Sequence, residues 1–330
     1  MDTFPPPGPV VCLMGPTATG KTDLALALAD RLPVGIISVD SAMVYRHFDI
    51  GTGKPSPEVL ARHPHRLVDI RDPWEQYSAG DFASDAAAAI RETQAAGRIP
   101  LLVGGTLLYF RSLIHGLSDL PAADAAVRAA IDAEAARHGW AAMHARLAAV
   151  DPVAAARIGP ADRQRIQRAL EVWRLTGQPI SALQGHRNGV GDNRHLMICI
   201  IPGDRRALAE RIERRFSHMM AMGFPAEVER ILALPGMDAG RPALRAVGYR
   251  QMAAHLMGNR SRTEAVVQAV AATRQLAKRQ LTWLRREQCD LWLEMGAADI
   301  AGVVERAISK AVLRMQTESR ADRMPSRRHQ

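Results

Sequence analysis

The eight residues Gly15-Pro16-Thr17-Ala18-Thr19-Gly20-Lys21-Thr22 constrain this chain more than any other stretch. They match G-x-x-x-x-G-K-[ST], a string that composition alone would place in on the order of one chain in a hundred. Pro9 to Met14 (PVVCLM) reads as a short buried strand before it, and Asp23 to Leu32 has helical composition and spacing after it. Strand, loop and helix in that order make a phosphate cradle. Gly15 and Gly20 let backbone N–H groups converge on phosphate oxygens at a helix N-terminus, Lys21 adds a point charge, and the Thr22 hydroxyl can ligate Mg²⁺. The loop does not reveal its ligand, because ATP and other di- or triphosphates offer it the same oxygens.

Further strands are expected at Val34 to Asp40, His65 to Ile70 and Ile99 to Val103, with a helix from Asp81 to Ala96 between the last two. Strands alternating with helices imply a parallel sheet covered by helices. From about Ser118 to Gly191 the strand signals vanish and Ala-rich helical stretches follow, punctuated by Gly139, Pro152, Gly159-Pro160 and Gly177. Leu196 to Ile201 (LMICII) then reads as a strand. A helix capped by Asp204 and closing at Gly223, a long helix from about Arg262 to Arg286 and a strand from Asp290 to Glu294 complete the pattern. The expected fold is α/β, a P-loop NTPase/kinase-like parallel-sheet core with an inserted all-helical domain. The expected divisions are 1–117 and 192–314 for the core, 118–191 for the insertion and 315–330 for a mobile polar tail.

Composition removes several classes. With 47% hydrophobic and 23% charged residues the chain is neither disordered nor coiled-coil. The longest apolar candidate, Ile99 to Phe110, is too short to span a bilayer. Val10 to Met14 is too brief for a signal-peptide core and no Lys or Arg precedes Lys21, so a cytoplasmic protein is expected. Cys12, Cys199 and Cys289 are isolated and suggest neither a disulfide framework nor a Cys-x-x-Cys metal pair. His63-Pro64-His65 with Asp69 and Asp72 reads as a surface turn rather than a zinc site, and Met219, Met220 and Met222 as core packing at a helix end.

The net charge of +9 points to a polyanionic partner. Only four of the 43 basic residues are lysines, a bias that a GC-rich genome alone produces, so the placement of the arginines decides. Winding Arg274 to Arg286 at about 100° per residue gathers Arg274, Lys278, Arg279, Arg285 and Arg286 on one arc, opposite Leu276, Ala277, Leu281, Trp283 and Leu284. A basic face with no acid before Glu287 suits a phosphate backbone, where a merely solvated face usually mixes signs. Arg163, Arg165, Arg168 and Arg174, then Arg241, Arg245 and Arg250, form further clusters. Aromatic residues, at 5%, are too few for a strand held by stacked bases.

The strand Ile99 to Val103 ends in Gly-Gly-Thr where ordinary loops of this kind have an acid. Asp40 is the one acid placed at the end of a buried strand beside the loop. It serves as a cap for the following turn, or as a carboxylate beside the loop acting as general base or water-mediated metal anchor. Thr106 is ambiguous in the same way, a helix cap or a hydroxyl facing the ligand. Arg211 and Arg215 lie one turn apart on a helix whose buried stripe is Leu208, Ile212 and Phe216.

GPTATGKT, VDSAMVYR (Val39 to Arg46), GTGKP (Gly51 to Pro55), LVGGTLLY (Leu102 to Tyr109), DPVAAARI (Asp151 to Ile158), RALEVWRLTG (Arg168 to Gly177), RAVGYRQM (Arg245 to Met252) and TRQLAKRQLTWLR (Thr273 to Arg285) together resemble the tRNA dimethylallyltransferases. The resemblance runs in order from about Val11 to Trp292. It implies transfer of a dimethylallyl group from dimethylallyl diphosphate to the exocyclic amine of the adenosine 3′ to a tRNA anticodon, with Mg²⁺ as the expected cofactor; a monomer is the default expectation for the working state. It implies that the loop holds diphosphate, that Asp40 is the base, that Lys21, Thr22, Thr106 and Arg211 assist, with Arg215 in reserve, and that Ser41, Ala42 and Met43 line the base pocket. It also puts Arg128, Gln164-Arg165-Ile166-Gln167-Arg168, Arg245-Ala246-Val247-Gly248-Tyr249-Arg250 and Lys278-Arg279-Gln280-Leu281-Thr282-Trp283-Leu284-Arg285 against tRNA. Competing readings are a small-molecule or nucleotide kinase, which leaves the basic helix unexplained; an NTP-driven RNA-binding module, which lacks a second acidic motif; and prenylation of free adenine nucleotides, which the basic C-terminal half argues against.

Overall fold

A computed structural model of the chain describes residues 8–118, 120–184, 195–238 and 240–322. The chain forms two compact units, 1–110 with 192–330, and 111–191. The first unit begins β1 (Val10–Met14), α1 (Lys21–Ala29), β2 (Val34–Val39), α2 (Pro57–Arg62), β3 (His65–Arg66), α3 (Ala79–Ala95) and β4 (Ile99–Gly104), and α4 (Leu107–Ile114) runs across the boundary at 111. The second unit holds α5 (Ala125–His138), α6 (Trp140–Val150), α7 (Pro152–Arg157), α8 (Arg163–Thr176) and α9 (Ile180–Leu183). The first resumes with β5 (His195–Ile201), α10 (Arg205–Ala221), α11 (Phe224–Leu232), α12 (Tyr249–Leu256), α13 (Arg262–Leu284), β6 (Leu291–Glu294) and α14 (Ile300–Asp322).

The six strands pair in the order β3-β2-β4-β1-β5-β6, every pairing parallel. Such a sheet is buried on both faces, which is why β1, β2 and β4 read as runs of apolar residues. Val11, Leu13, Ala25 and Leu28 pack with Val304 and Ile308 of α14 in one core cluster. At about 1.5–3 kcal/mol for each large side chain removed from water, this burial holds α14 against the sheet. Residues 315 to 322, expected to begin a mobile tail, continue that helix, and 323–330 lie outside the described residues. β3 is shorter than expected because Leu67 and Asp69 take φ of 63° and 56°, left-handed backbone that ends a ladder. Ser78 with Asp81 and Ser261 with Glu264 form capping boxes that start α3 and α13.

Three expectations change. Cys199 and Cys289 form a disulfide, since the β5–β6 pairing brings together residues 90 apart in sequence. Cys12 remains a free thiol inside the core, where burial pushes its pKa up to about 12 and leaves it unreactive. His63 is buried, with Nε2 3.1 Å from Asp30 Oδ1, while Asp69 binds the Lys54 ammonium at 2.5 Å. Met219 joins the core, but Met222, at the C-cap of α10, is exposed.

The helical unit has its own core, with Ile131 and Ala135 of α5, Met143 and Leu147 of α6, and Ile166 and Leu170 of α8. Glu171 is fully buried within it. Burial pushes that carboxyl's pKa up, but hydrogen bonds from Arg128, Arg168 and the Asp124 amide outweigh this and hold it below the usual range.

The first unit builds a second aromatic core from Phe48, Phe216, Phe224 and Tyr249, with Phe48 stacked on Tyr249 at 4.3 Å. A carboxylate is sealed inside it. Glu227 accepts from the backbone N–H groups of Asp49, Ile50 and Gly51 at 3.3, 2.6 and 3.1 Å and from the Tyr249 hydroxyl at 2.6 Å. Burial, followed by the Glu227 charge, pushes the Tyr249 phenol well above its ordinary pKa and keeps it a donor. Four donors on one buried acid fix the 49–51 segment, whose neighbour Thr52 receives an arginine of the site described below. Glu227→Ala is expected to lower stability by about 3 kcal/mol or more in urea unfolding, because each stranded buried donor costs about 1–3 kcal/mol. Glu227→Gln should lose less, and a loss below about 1 kcal/mol for the alanine variant would show that the carboxylate ties nothing down.

Candidate functional site

Register places the site. Val39 at the end of β2 aligns with Gly104 of β4, and Gly104 aligns with Met14 of β1. The residues that follow, Asp40, Gly105-Thr106 and the loop starting at Gly15, therefore emerge together at the carboxyl edge of a parallel sheet, where the strand order puts ligand crevices. Ala18 and Gly20 adopt positive φ of 64° and 83°, the kind of local reversal that turns successive N–H groups toward one point. Thr19 is buried, its hydroxyl donating to the Pro16 carbonyl at 2.9 Å, and Thr22 sits in the first turn of α1.

Asp40 plays the capping role foreseen for it with one oxygen. Its Oδ1 accepts from the Ala42 and Met43 amides at 2.8 and 3.2 Å. No protein donor among the described residues is bonded to Oδ2, so the carboxylate is oriented by one oxygen and available through the other. Thr106 Oγ1 accepts from the Ser41 amide at 3.1 Å, which joins the Asp40 turn to the end of β4.

Cations face this turn. The Lys21 ammonium donates to the Pro16 carbonyl at 2.6 Å. Arg211 Nη2 lies 3.7 Å from the point where a side chain on Gly20 would begin. Arg215, largely buried, donates to the Thr52 carbonyl at 2.8 Å, and Leu208 and Ile212 of the same helix pack with Ala277 and the loop's Ala18. Burial and then the Arg215 charge push the Lys21 pKa down to about 7, against the pull of Asp40. Burial likewise lowers Arg215, with Asp40 and then Asp23 opposing it. Two half-buried cations with insufficient counter-charge make a place for an anion.

The residues expected against tRNA divide by exposure. Lys278, Arg279 and Arg285 of α13 are exposed, as are Gln164 and Arg165 of α8 and Arg245 and Arg250 beside α12. Arg274 is ion-paired with Glu213. Ile166, Tyr249 and Leu284 have buried side chains, Ile166 in the core of the helical unit and Tyr249 in the aromatic core. Arg128 and Arg168 turn their guanidinium groups inward to Glu171, and Gln167 bonds Asp132 at 2.6 Å. Gln280 points into the site, where its carboxamide accepts from the Thr17 amide at 3.0 Å and donates to the Gly105 carbonyl at 2.8 Å. Sequence reasoning missed Glu227 as well. The available signal was an acid on the apolar stripe of α11, between Phe224 and Val228.

A family model described as IPP transferase matches residues 43–287, and one described as isopentenyl transferase matches residues 8–72. A protein of Thioalkalivibrio sulfidiphilus named tRNA dimethylallyltransferase is 57% identical over 299 residues, 90% of this chain and 93% of its own. The crystal structure of the full-length tRNA isopentenylpyrophosphate transferase from Bacillus halodurans has a TM-score of 0.68 at 34% identity, covering 96% of this chain and 100% of that one. A eukaryotic dimethylallyltransferase, crystallised acting on tRNA, has a TM-score of 0.74 at 21% identity over 96% of this chain and 81% of that one, and shares the fold.

The lowered Lys21 pKa has a measurable signature. Between about 7 and the ordinary 10.5 the unfolded chain holds the proton that the folded one releases, so stability gained through this group rises with pH. Below about 7 both states are protonated and the full cost of burying the charge remains. Lys21→Met removes that cost. Its unfolding midpoint should exceed that of the unsubstituted protein most at pH 6, with the gap narrowing by pH 9, and a pH-independent gap would refute the shift.

Proposed function

This chain belongs to the IPP transferase family, the tRNA dimethylallyltransferases, and on that premise we propose that its loop holds dimethylallyl diphosphate while Asp40 takes the proton from the attacking adenosine amine. The protein is a prenyltransferase that modifies tRNA. The acceptor in this reading is the exocyclic amine of the adenosine 3′ to the anticodon. The amine lone pair forms the new C–N bond to the allylic carbon, the C–O electron pair leaves with diphosphate, and the amine proton passes to the carboxylate. Adenine's amine is a weak nucleophile because its lone pair is delocalised into the ring. Its proton becomes acidic only as the bond forms, which is when a fixed base is useful.

The leaving group gathers negative charge as the five-carbon fragment becomes cation-like. The loop N–H groups, Lys21, Arg211 and Arg215 offer preorganised positive charge to it, the kind of electrostatic term that usually dominates catalysis. A pKa near 7 suits Lys21 to this task, since an arriving anion favours its protonated form. The Thr22 hydroxyl presents a hard oxygen donor, a sparse set that fits Mg²⁺, which keeps waters and takes phosphate oxygens. When bound it would add positive charge on the departing diphosphate. The observation that carries the reading is Asp40 itself, held by Oδ1 and with Oδ2 unengaged, at the strand end beside the loop.

The target base has to be turned out of its stack to reach such a pocket, and the exposed Lys278, Arg279 and Arg285 suit the phosphates around it. The cradle, the base and the cations all come from one chain, which supports a monomer as the working unit. We place its work in the cytoplasm, with the tRNA.

One assay with labelled donors decides the donor. Label from dimethylallyl diphosphate should appear in tRNA and not in AMP, and label arriving from ATP would overturn the reading. Asp40→Asn keeps an acceptor for the Ala42 and Met43 amides, so it should bind tRNA within about twofold while kcat falls by roughly 10²–10⁴. A fully active Asp40→Asn enzyme would remove Asp40 as the base.

A further inference from the structure

We infer that Gln280 is a positioning residue that registers the RNA-facing helix to the donor cradle, and that its carboxamide serves the cradle rather than the RNA. The inference takes the tRNA-prenylation reading as its premise. Gln280 shares the inward face of α13 with Ala277 and Leu284, both buried, while Lys278, Arg279 and Arg285 on the same helix are exposed. Its two hydrogen bonds run to segments 263 and 175 residues away. An acceptor on the Thr17 N–H and a donor on the Gly105 carbonyl fix which way the amide points.

The two bonds grip both halves of the site. Thr17 belongs to the loop that receives the leaving group. Gly105 precedes Thr106, whose hydroxyl accepts from Ser41 beside Asp40. The fit is close enough to restrict the residue at 105, since a Cβ there would come within 2.6 Å of the Gln280 Nε2. This accounts for the glycine at 105, while Gly104 is required by the close approach of the Val39 backbone. One helix thus presents cations to RNA phosphates on its outer face and fixes the geometry between diphosphate and base with its inner face. RNA docked on that helix is thereby held at a set distance from the bond that breaks.

Gln280→Met keeps length and loses both hydrogen bonds. Gly105→Ala breaks the same latch from the other side without altering α13. For each variant, binding of inorganic diphosphate with Mg²⁺ is measured by calorimetry, tRNA binding by fluorescence anisotropy across salt concentrations, and transfer by steady-state kinetics. Both should weaken diphosphate binding and lower kcat by about tenfold or more, the loss expected from two hydrogen bonds at about 1 kcal/mol each. The tRNA Kd should stay within about twofold and its salt slope unchanged, whereas Arg279→Ala should reduce that slope by about one. The double variant should be little worse than either single one. Should Gln280→Met fail to fold, Gly105→Ala decides by the same readouts. The inference is overturned if Gln280→Met weakens tRNA binding while leaving diphosphate binding unchanged, or if neither is altered. Unsubstituted enzyme that transfers no dimethylallyl label to tRNA would instead sink the function on which the inference rests.

Discussion

The parallel register across β2, β4 and β1 is the constraint from which the rest of the site follows. Pairing Val39 with Gly104 and Gly104 with Met14 ends three strands at one level. The chain must then leave the sheet three times within a small space. One exit becomes the phosphate loop, one the Asp40 turn and one the Gly105-Thr106 corner. Slipping any strand by one residue would turn each of its side chains to the opposite face of the sheet and move its exit out of line. The continuous apolar runs in those strands are thus also what sets the distance between anion cradle and carboxylate.

Buried charge organises the remaining polypeptide. Glu171 gathers two arginines and an amide in the helical unit, and Glu227 gathers three amides and a phenol in the sheet unit. Each acid is satisfied by several donors, the condition under which a buried ion is tolerated and specifies one arrangement. The site itself is the exception. Lys21 and Arg215 are half-buried, with their positive charges only partly answered by Asp40 and Asp23. Imbalance there, in contrast to the satisfied Glu171 and Glu227, is the electrostatic mark of an anion site.

Much of this was readable from the chain. The loop, the strands flanking it, the long α13 and the helical insertion each carry a local signal, either an apolar run of strand length or a capping residue ahead of helical periodicity. Asp40 was found because only one acid ends a buried strand. The stripe of Leu208, Ile212 and Phe216 proved buried because helical spacing alone dictates it. Legibility failed where the partner is distant. Arg128, Arg168 and Tyr249 lie in stretches that resemble a tRNA-binding surface, yet buried acids decide where their polar groups point. The Cys199–Cys289 bond was invisible for a similar reason, since nothing in the spacing of single cysteines reports that β5 and β6 are neighbours.

The sequence by itself determined the phosphate cradle, the alternation that makes a parallel sheet and the family to which the chain belongs, because those depend on residues close together along the backbone or on motifs kept in order. Strand order, the gathering of two half-buried cations and the reach of Gln280 across 263 residues to the loop depend on which faces pack in three dimensions. A side chain shows its chemistry in one dimension, but its partner is chosen only when the chain has closed around it.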